Sequence, residues 1–106
     1  MDLAHQVKTN LEHYHLWTQV TIREILCNGA QTAVVQGIPP EVTSELIEWI
    51  IPVDSKGHLE TEQFGLWFSG IETLLHRPKR VIVAIVSDDS SVVYYYVHDG
   101  ITAPSN

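Results

Sequence analysis

The sequence predicts a single α+β domain in which a mixed or antiparallel sheet is flanked by helices. Three observations lead to this prediction. The chain has 106 residues, the size of one domain, and 44% of them are hydrophobic, which allows a true core. Helix-like and strand-like segments follow one another in the order α, β, β, β, α, β, β, which is typical of an α+β fold. Residues 1–106 are therefore interpreted as one domain.

The first half of the chain begins with helical periodicity and then changes to strand chemistry. Apolar residues recur at intervals of three or four from Leu3 to Tyr14, which places them on one helical face. β-Branched residues follow, and Asn-Gly favours the positive φ of a tight hairpin turn. The predicted elements are a helix over 2–14, a strand from Trp17 to Leu26, a turn at Asn28-Gly29 and a return strand from Thr32 to Gln36.

The second half contains the clearest helix and the most apolar strand. From Phe64 to Leu75 an apolar stripe with helical spacing predicts a helix, which Pro78 ends. Val81 to Val86 is apolar without interruption and is therefore predicted to lie at the centre of the sheet, covered on both faces. The remaining predicted elements are a strand from Leu46 to Val53, a loop over Ser87–Ser91 and a last strand from Val92 to Val97.

Charge and composition narrow the classes of function. The chain carries 13 Asp and Glu against 6 Lys and Arg, a formal net charge of −7. A protein that binds nucleic acid on its own needs a concentrated positive surface, so this composition disfavours that role. The single Cys27 cannot form an internal disulfide, which fits a reducing compartment. No apolar run approaches the roughly 18 residues of a membrane span, so membrane insertion is not expected.

Motifs for catalysis or metal binding are not evident. In a helix, His13 and His15 point about 200° apart and cannot share a tetrahedral ion. In an extended segment they share a face, but no third ligand is evident nearby. Cys27 has no Cys-x-x-Cys partner, and no phosphate-binding glycine loop or nucleophile elbow is present. We therefore predict no catalytic residue, no metal site and no cofactor.

The last strand has two open interpretations. Alternation places Val92, Tyr94 and Tyr96 on one face and Val93, Tyr95 and Val97 on the other, so both faces are large and apolar. The strand is either a fully buried central strand or an edge that pairs with another chain. Asp88 and Asp89, just before it, form either a hairpin turn or an acidic plug for a basic pocket.

Two segments, taken together, resemble a known family. The stretches 7–11 and 16–20 (Val-Lys-Thr-Asn-Leu and Leu-Trp-Thr-Gln-Val) and the C-terminal stretch from Arg80 to Tyr95 are similar to the smallest, non-catalytic subunit of the eukaryotic tRNA-splicing endonuclease, within the tRNA-intron endonuclease family. Fungal members are the most similar. The C-terminal stretch is the more specific one, because it combines an apolar strand, an Asp-rich loop and Val-Val-Tyr-Tyr in a fixed order.

The resemblance implies the fold of the tRNA-intron endonuclease C-terminal domain, which is restriction-endonuclease-like. Active subunits of that family cut RNA without metal, using a tyrosine as general base, a histidine as general acid and a lysine for charge stabilisation. Here neither tyrosine nor histidine occurs between Trp17 and Gly57, and Lys79-Arg80 occupies the neighbourhood of the lysine. We therefore predict a non-catalytic member.

The resemblance also implies partners. The strand Val92 to Val97 would pair with a catalytic subunit, and the loop with Asp88 and Asp89 would enter a basic cleft of the opposing dimer to join a heterotetramer. Precursor tRNA would be met only through this complex. The family is associated with the nucleus, and in some yeasts with the cytosolic face of mitochondria, so either address is expected.

The residues themselves leave two other functions open. The first is a binding module that forms a homodimer through residues 92–97, which would also describe the isolated subunit. The second is a nuclease with an unusual site built from His58, His76, His98 and Lys79.

Overall fold

A five-stranded sheet with one helix on each face forms the computed structural model, which describes residues 2–27, 29–40, 47–57 and 59–99. The predicted order of elements is confirmed, and so is the α+β class. The elements are α1 (Leu3–His13), β1 (Thr18–Cys27), β2 (Ala30–Ile38), β3 (Glu48–Asp54), α2 (Thr61–Glu72), β4 (Arg80–Val86) and β5 (Val92–His98). Asn28 of the predicted turn, Leu46 of the predicted strand and His58 of the alternative nuclease site lie outside the described residues.

The sheet is mixed, with the strands in sequence order from β1 to β5. Neighbouring strands are antiparallel except β3 and β4, which are parallel. A parallel pair needs a crossover connection, and α2 provides it. The predicted hairpin is present, since Cys27 pairs with Ala30 and Gly29 has a φ of 84°.

The position of β4 corrects one prediction. The strand is not the centre of the sheet, because β3 is; β4 lies between β3 and β5. Its apolar run is nevertheless buried on both faces, from Val81 to Ala84. Burial on both faces requires a helix or side chains above and below a strand, and that condition does not demand the middle position.

The two faces of the sheet carry separate hydrophobic cores. The core beneath α1 consists of Ala4, Val7, Leu11, Val20, Val35, Ile50, Ile82, Ala84 and Val86. The core beneath α2 consists of Ile25, Val34, Trp49, Ile51, Trp67, Phe68, Ile71, Val81 and Val83. Alternate residues of β3 and β4 point to opposite cores, as the period of two in a strand requires.

Helix α2 packs closely over β1 because of a glycine. A Cβ at Gly70 would lie 2.9 Å from Cδ1 of Ile25 and 3.1 Å from the carbonyl oxygen of Leu26. Without that Cβ, the helix approaches the strand at the β1 side of the sheet. The α2 side of β5, at the opposite edge, is left without a helix among the described residues.

Candidate partner interface

Strand β5 lies at an edge of the sheet. Within the described part of the chain it pairs with β4 alone, in an unbroken antiparallel register from Val92 opposite Val86 to His98 opposite Arg80. The structure therefore decides between the two interpretations of this strand in favour of an edge. Its outward N–H and C=O groups form a template to which another strand can pair.

One face of β5 is held by α1. The hydroxyl of Tyr94 donates a 2.6 Å hydrogen bond to Oδ1 of Asn10, and the ring of His15 meets the Tyr94 ring edge-on, with 5.5 Å between centroids. Val92 and Tyr94 also pack against the core beneath α1. Partial burial raises the pKa of Tyr94 to about 12. Val92 and Tyr94 thus fix this face to the domain before any partner arrives, whereas Tyr96 on the same face is 59% exposed.

The other face of β5 is open. Val93 is 46% exposed and Tyr95 is 54% exposed, while Val97 is half-buried against the core beneath α2. Large apolar side chains on an edge strand are unusual in a domain that functions alone, and such patches mark interaction surfaces. The assignment of residues 92–97 to a partner interface stays a prediction that this geometry favours.

The loop between β4 and β5 is a closed turn. The N–H of Ser87 donates to the carbonyl of Ser91 at 2.9 Å, and Ser90 has a positive φ of 72°. Oδ1 of Asp89 accepts from the backbone N–H and the hydroxyl of Ser91, at 3.0 and 2.7 Å, and these bonds lower the pKa of Asp89. Asp89 therefore stabilises the turn that precedes β5.

Asp88 is the more available acid of this loop. Its carboxylate lies 2.9 Å from the ammonium of Lys56, with both side chains more than 70% exposed. An ion pair exposed to this degree is weak and easily exchanged. Of the two interpretations of the loop, the hairpin turn describes Asp89, and the acidic contact remains a prediction that rests mainly on Asp88.

An ion pair stands at the start of β4, where the resemblance places a lysine. Arg80 Nη2 lies 2.6 Å from Oε2 of Glu48, and only 11% of the Glu48 side chain is exposed. The Arg80 guanidinium also lies over the Tyr96 ring, 4.3 Å from its centroid. The hydrogen bond that Arg80 donates to Glu48 raises the pKa of Arg80 further above its usual range. Arg80 therefore keeps its positive charge, and the carboxylate of Glu48 already compensates that charge.

A groove opens beside this ion pair on the α1 side of the sheet. It has a volume of about 540 Å³ and is called the α1 groove below. Its lining residues are Leu11, His15, Trp17, Pro39, Glu48, Arg80, Ile82, Tyr94, Tyr95 and Tyr96. It therefore combines aromatic walls with one charged pair.

A second cavity brings together much of the alternative nuclease site. His76, Lys79 and His98 line a volume of about 640 Å³, together with Arg77, and the pair Arg80–Glu48 borders it. His58 lies outside the described residues. Arg77 is bound to the carboxylate of Asp99 at 2.7 Å and to Glu72 at 3.3 Å, so its charge is compensated. No tyrosine is among the described residues that line this cavity.

The remaining candidate residues stay apart. In the described ranges, no three His, Cys, Asp or Glu side chains come close enough together to hold a metal ion. Cys27 is partly buried with its Sγ 3.7 Å from the carbonyl oxygen of Leu66, and burial raises the pKa of its thiol. Of the helices that the structure describes, none has the length and apolar character for crossing a membrane.

Sequence reasoning missed the cluster of Glu48, Arg80 and Tyr96. Arg80 directly precedes an apolar strand, which was a visible signal, and Tyr96 lies opposite Ile82 in the neighbouring strand. Glu48 gave no signal, because it is 32 positions from Arg80 and meets it only through the parallel pairing of β3 and β4.

The fold and the site define a class of protein: a small α+β domain whose aromatic edge strand is suited to pairing with another chain. The chain belongs to the Sen15 protein family, whose model matches residues 6–106.

Two fungal relatives are similar to it. The probable tRNA-splicing endonuclease subunit tsp-1 of Neurospora crassa is 25% identical over 96% of this chain and 64% of the Neurospora protein. The tRNA-splicing endonuclease subunit SEN15 of Eremothecium gossypii is 29% identical over 92% of this chain and 85% of its own length. The chain thus spans less than two thirds of the Neurospora relative.

Proposed function

We propose that the chain is a non-catalytic structural subunit of a tRNA-splicing endonuclease, which pairs with a catalytic subunit and supports a heterotetramer that excises introns from precursor tRNA. The observation that carries this proposal is the family match over residues 6–106. Two relatives are named as subunits of this endonuclease, which supports the same role. In this role the other subunits are the partners, and precursor tRNA is met only through the complex.

Support for a non-catalytic subunit comes from the start of β4. The positive charge at this position, on Arg80, is compensated by the carboxylate of Glu48, which weakens its ability to stabilise charge that develops in a transition state. Tyr96 and His15 line the α1 groove, whereas Lys79 and His98 line the other cavity. Among the described residues, no lysine lines the first and no tyrosine lines the second, so the three residue types that the resemblance requires are not together in either cavity.

The proposed contact with the catalytic subunit is strand addition at β5. Main-chain hydrogen bonds at the free edge would supply affinity, and the exposed Val93 and Tyr95 would supply apolar area. Asp88 would provide a charged contact to the opposing dimer, where its role is selectivity rather than affinity. The proposed address is the nucleus or the cytosolic face of mitochondria.

Self-association of the isolated chain is the second candidate. The free edge of β5 with its exposed tyrosines favours it, since a second copy can satisfy the same backbone groups. The two candidates are compatible if the catalytic subunit displaces the second copy.

A reconstituted cleavage assay tests the proposed function. Precursor tRNA is incubated with the lone chain, with the remaining endonuclease subunits alone, and with all subunits together. We expect cleavage to require the catalytic subunits and to increase when this chain is added. The substitutions His76→Ala, Lys79→Ala and His98→Ala should leave that cleavage unchanged. Cleavage by the lone chain that is lost in the histidine variants would instead establish the alternative nuclease.

A further inference from the structure

The α1 groove exists because the first helix ends early. α1 ends at His13, and the chain then turns back through Leu16, which has a positive φ of 61°. The sheet continues past this point, so Arg80 of β4 and Tyr96 of β5 have no described helix above them. The floor of the groove is Ile82, and its volume of about 540 Å³ falls within the usual range for binding pockets.

The walls of the groove are held by packing and hydrogen bonds. Trp17 lies against Gly37, where a Cβ would be 3.2 Å from Cε3 of the indole, so the ring packs closely on the backbone of β2. On the opposite wall, Tyr94 is bound to Asn10 and meets the ring of His15. A groove whose walls are already fixed loses little conformational entropy when it is filled.

The polar chemistry of the groove comes from the pair of Arg80 and Glu48. Nε and Nη2 of Arg80 reach the two oxygens of Glu48 at 3.4 and 2.6 Å, so the carboxylate is engaged on both sides. A guanidinium has five N–H groups, and with 42% of its side chain exposed Arg80 retains donors for a ligand. The pair is neutral overall, which suits a ligand that carries acceptors without a large negative charge.

The position of β5 indicates which macromolecule would occupy the groove. Tyr94 and Tyr96, whose side chains lie on the α1 side of the sheet, line it and also belong to the free edge strand. A strand added at that edge places every second side chain on the groove side, within about 5.5 Å of Tyr94 or Tyr96. RNA is the less suitable occupant, because the chain has a net charge of −7 and the guanidinium is already paired.

We propose that the α1 groove is a second docking site for the subunit that pairs with β5, and that it receives an extended segment of that subunit. Backbone carbonyls of the segment accept hydrogen bonds from Arg80, and an apolar side chain fills the space between Trp17 and Tyr96. This inference rests on the proposed function. It adds contacts inside the groove to the main-chain hydrogen bonds at the edge, and so gives the chain a way to select its partner.

Affinity measurements with the purified catalytic subunit test the proposal. The double variant Glu48→Gln with Arg80→Gln removes the guanidinium without leaving an unpaired carboxylate half-buried. His15→Trp, on an exposed position of the rim, fills the groove and leaves the ion pair intact. We expect each to weaken binding about tenfold relative to the wild-type chain. The variant Lys8→Gln removes a charge on α1 that does not line the groove; it is the matched control and should bind as the wild type does.

The outcomes distinguish the groove from the proposed function. If the wild-type chain does not bind the subunit, the proposed function and the groove proposal are both wrong. If the wild type binds, Tyr95→Asp does not, and both groove variants bind within twofold of the wild type, then the edge contact stands and the groove proposal is wrong. If the groove variants bind the subunit normally but the assembled complex loses affinity for precursor tRNA, the occupant is RNA and the proposal is overturned.

Discussion

The hydroxyl of Tyr94 and the side-chain oxygen of Asn10 form a 2.6 Å hydrogen bond that joins the edge strand β5 to helix α1 across 84 positions of sequence. This contact fixes one face of β5 to the domain, while Val93 and Tyr95 on the other face stay exposed. An edge strand fixed in this way is preorganised for pairing, because its backbone does not need to be ordered when a partner binds.

The substitution Tyr94→Phe removes the hydroxyl and keeps the ring. We expect the free energy of unfolding to fall by about 1 kcal/mol, the usual net value of such a hydrogen bond. Urea denaturation followed by circular dichroism measures the change. Tyr95→Phe is the control, because Tyr95 is 54% exposed and its substitution should leave stability unchanged. Equal effects of both variants would contradict the role of the contact with Asn10.

Alkaline pH should weaken the domain through the same residue. Burial raises the pKa of Tyr94 to about 12, above its ordinary value near 10, so the folded chain keeps the proton longer than the unfolded chain. The stabilisation of the folded chain by protonated Tyr94 is fully present below pH 10 and is lost as the pH rises from about 10 to 12. Unfolding measured across this range should show a steeper decline in the wild type than in Tyr94→Phe. Parallel declines would exclude Tyr94 as the source.

Two glycines of α2 should respond in opposite ways to alanine. At Gly70 a Cβ meets Ile25 and the Leu26 carbonyl, so we expect Gly70→Ala to destabilise the fold by about 1–2 kcal/mol after the gain in helix propensity. At Gly65 nothing lies within 4 Å of the added Cβ, and Gly65→Ala should stabilise by up to about 1 kcal/mol. Thermal unfolding of both variants gives the comparison, and a stable Gly70→Ala would show that α2 moves away easily.

The strand should matter more than the loop for partner binding. Tyr95→Asp places an unpaired charge in the proposed interface, which costs several kcal/mol and should weaken binding by 100-fold or more. Asp88→Ala removes an exposed acid whose pair with Lys56 is solvent-accessible. We expect it to reduce the free energy of partner binding by about 1 kcal/mol or less.

A pull-down with the catalytic subunit, followed by calorimetry, ranks these two variants. Each variant is first compared with the wild type by circular dichroism, since an exposed position such as Tyr95 should tolerate aspartate in the isolated chain. The reverse order, with Asp88→Ala the more damaging, would mean that the loop holds the complex.

The elements of the fold could be predicted because their signals are local. The uninterrupted apolar run from Val81 to Val86 identified β4, and the stripe from Phe64 identified α2. The rank of β4 in the sheet could not be predicted, because burial on both faces is common to every internal strand. Which strand lies at an edge depends on long-range pairing, so the sequence left β5 open between a central and an edge position.

The candidate site was predictable only in part for the same reason. Residues 92–97 and Asp88 and Asp89 were visible as a pattern, and the structure places them in one hairpin. The α1 groove was not visible, because Trp17, Glu48 and Arg80 come from three separate stretches of the chain. The different contacts of Asp88 and Asp89 could not be predicted either. Asp89 bonds Ser91 because of the geometry of the turn, and Asp88 pairs with Lys56, which is distant in sequence.

The most direct test of the proposed function is light scattering on size-exclusion chromatography, with the chain alone and after addition of a catalytic subunit of the tRNA-splicing endonuclease. We predict that the two proteins elute together with a mass that contains both chains, and that the mass of any self-associated form disappears as the complex appears. Separate elution at the two original masses, with the chain folded, would contradict the account.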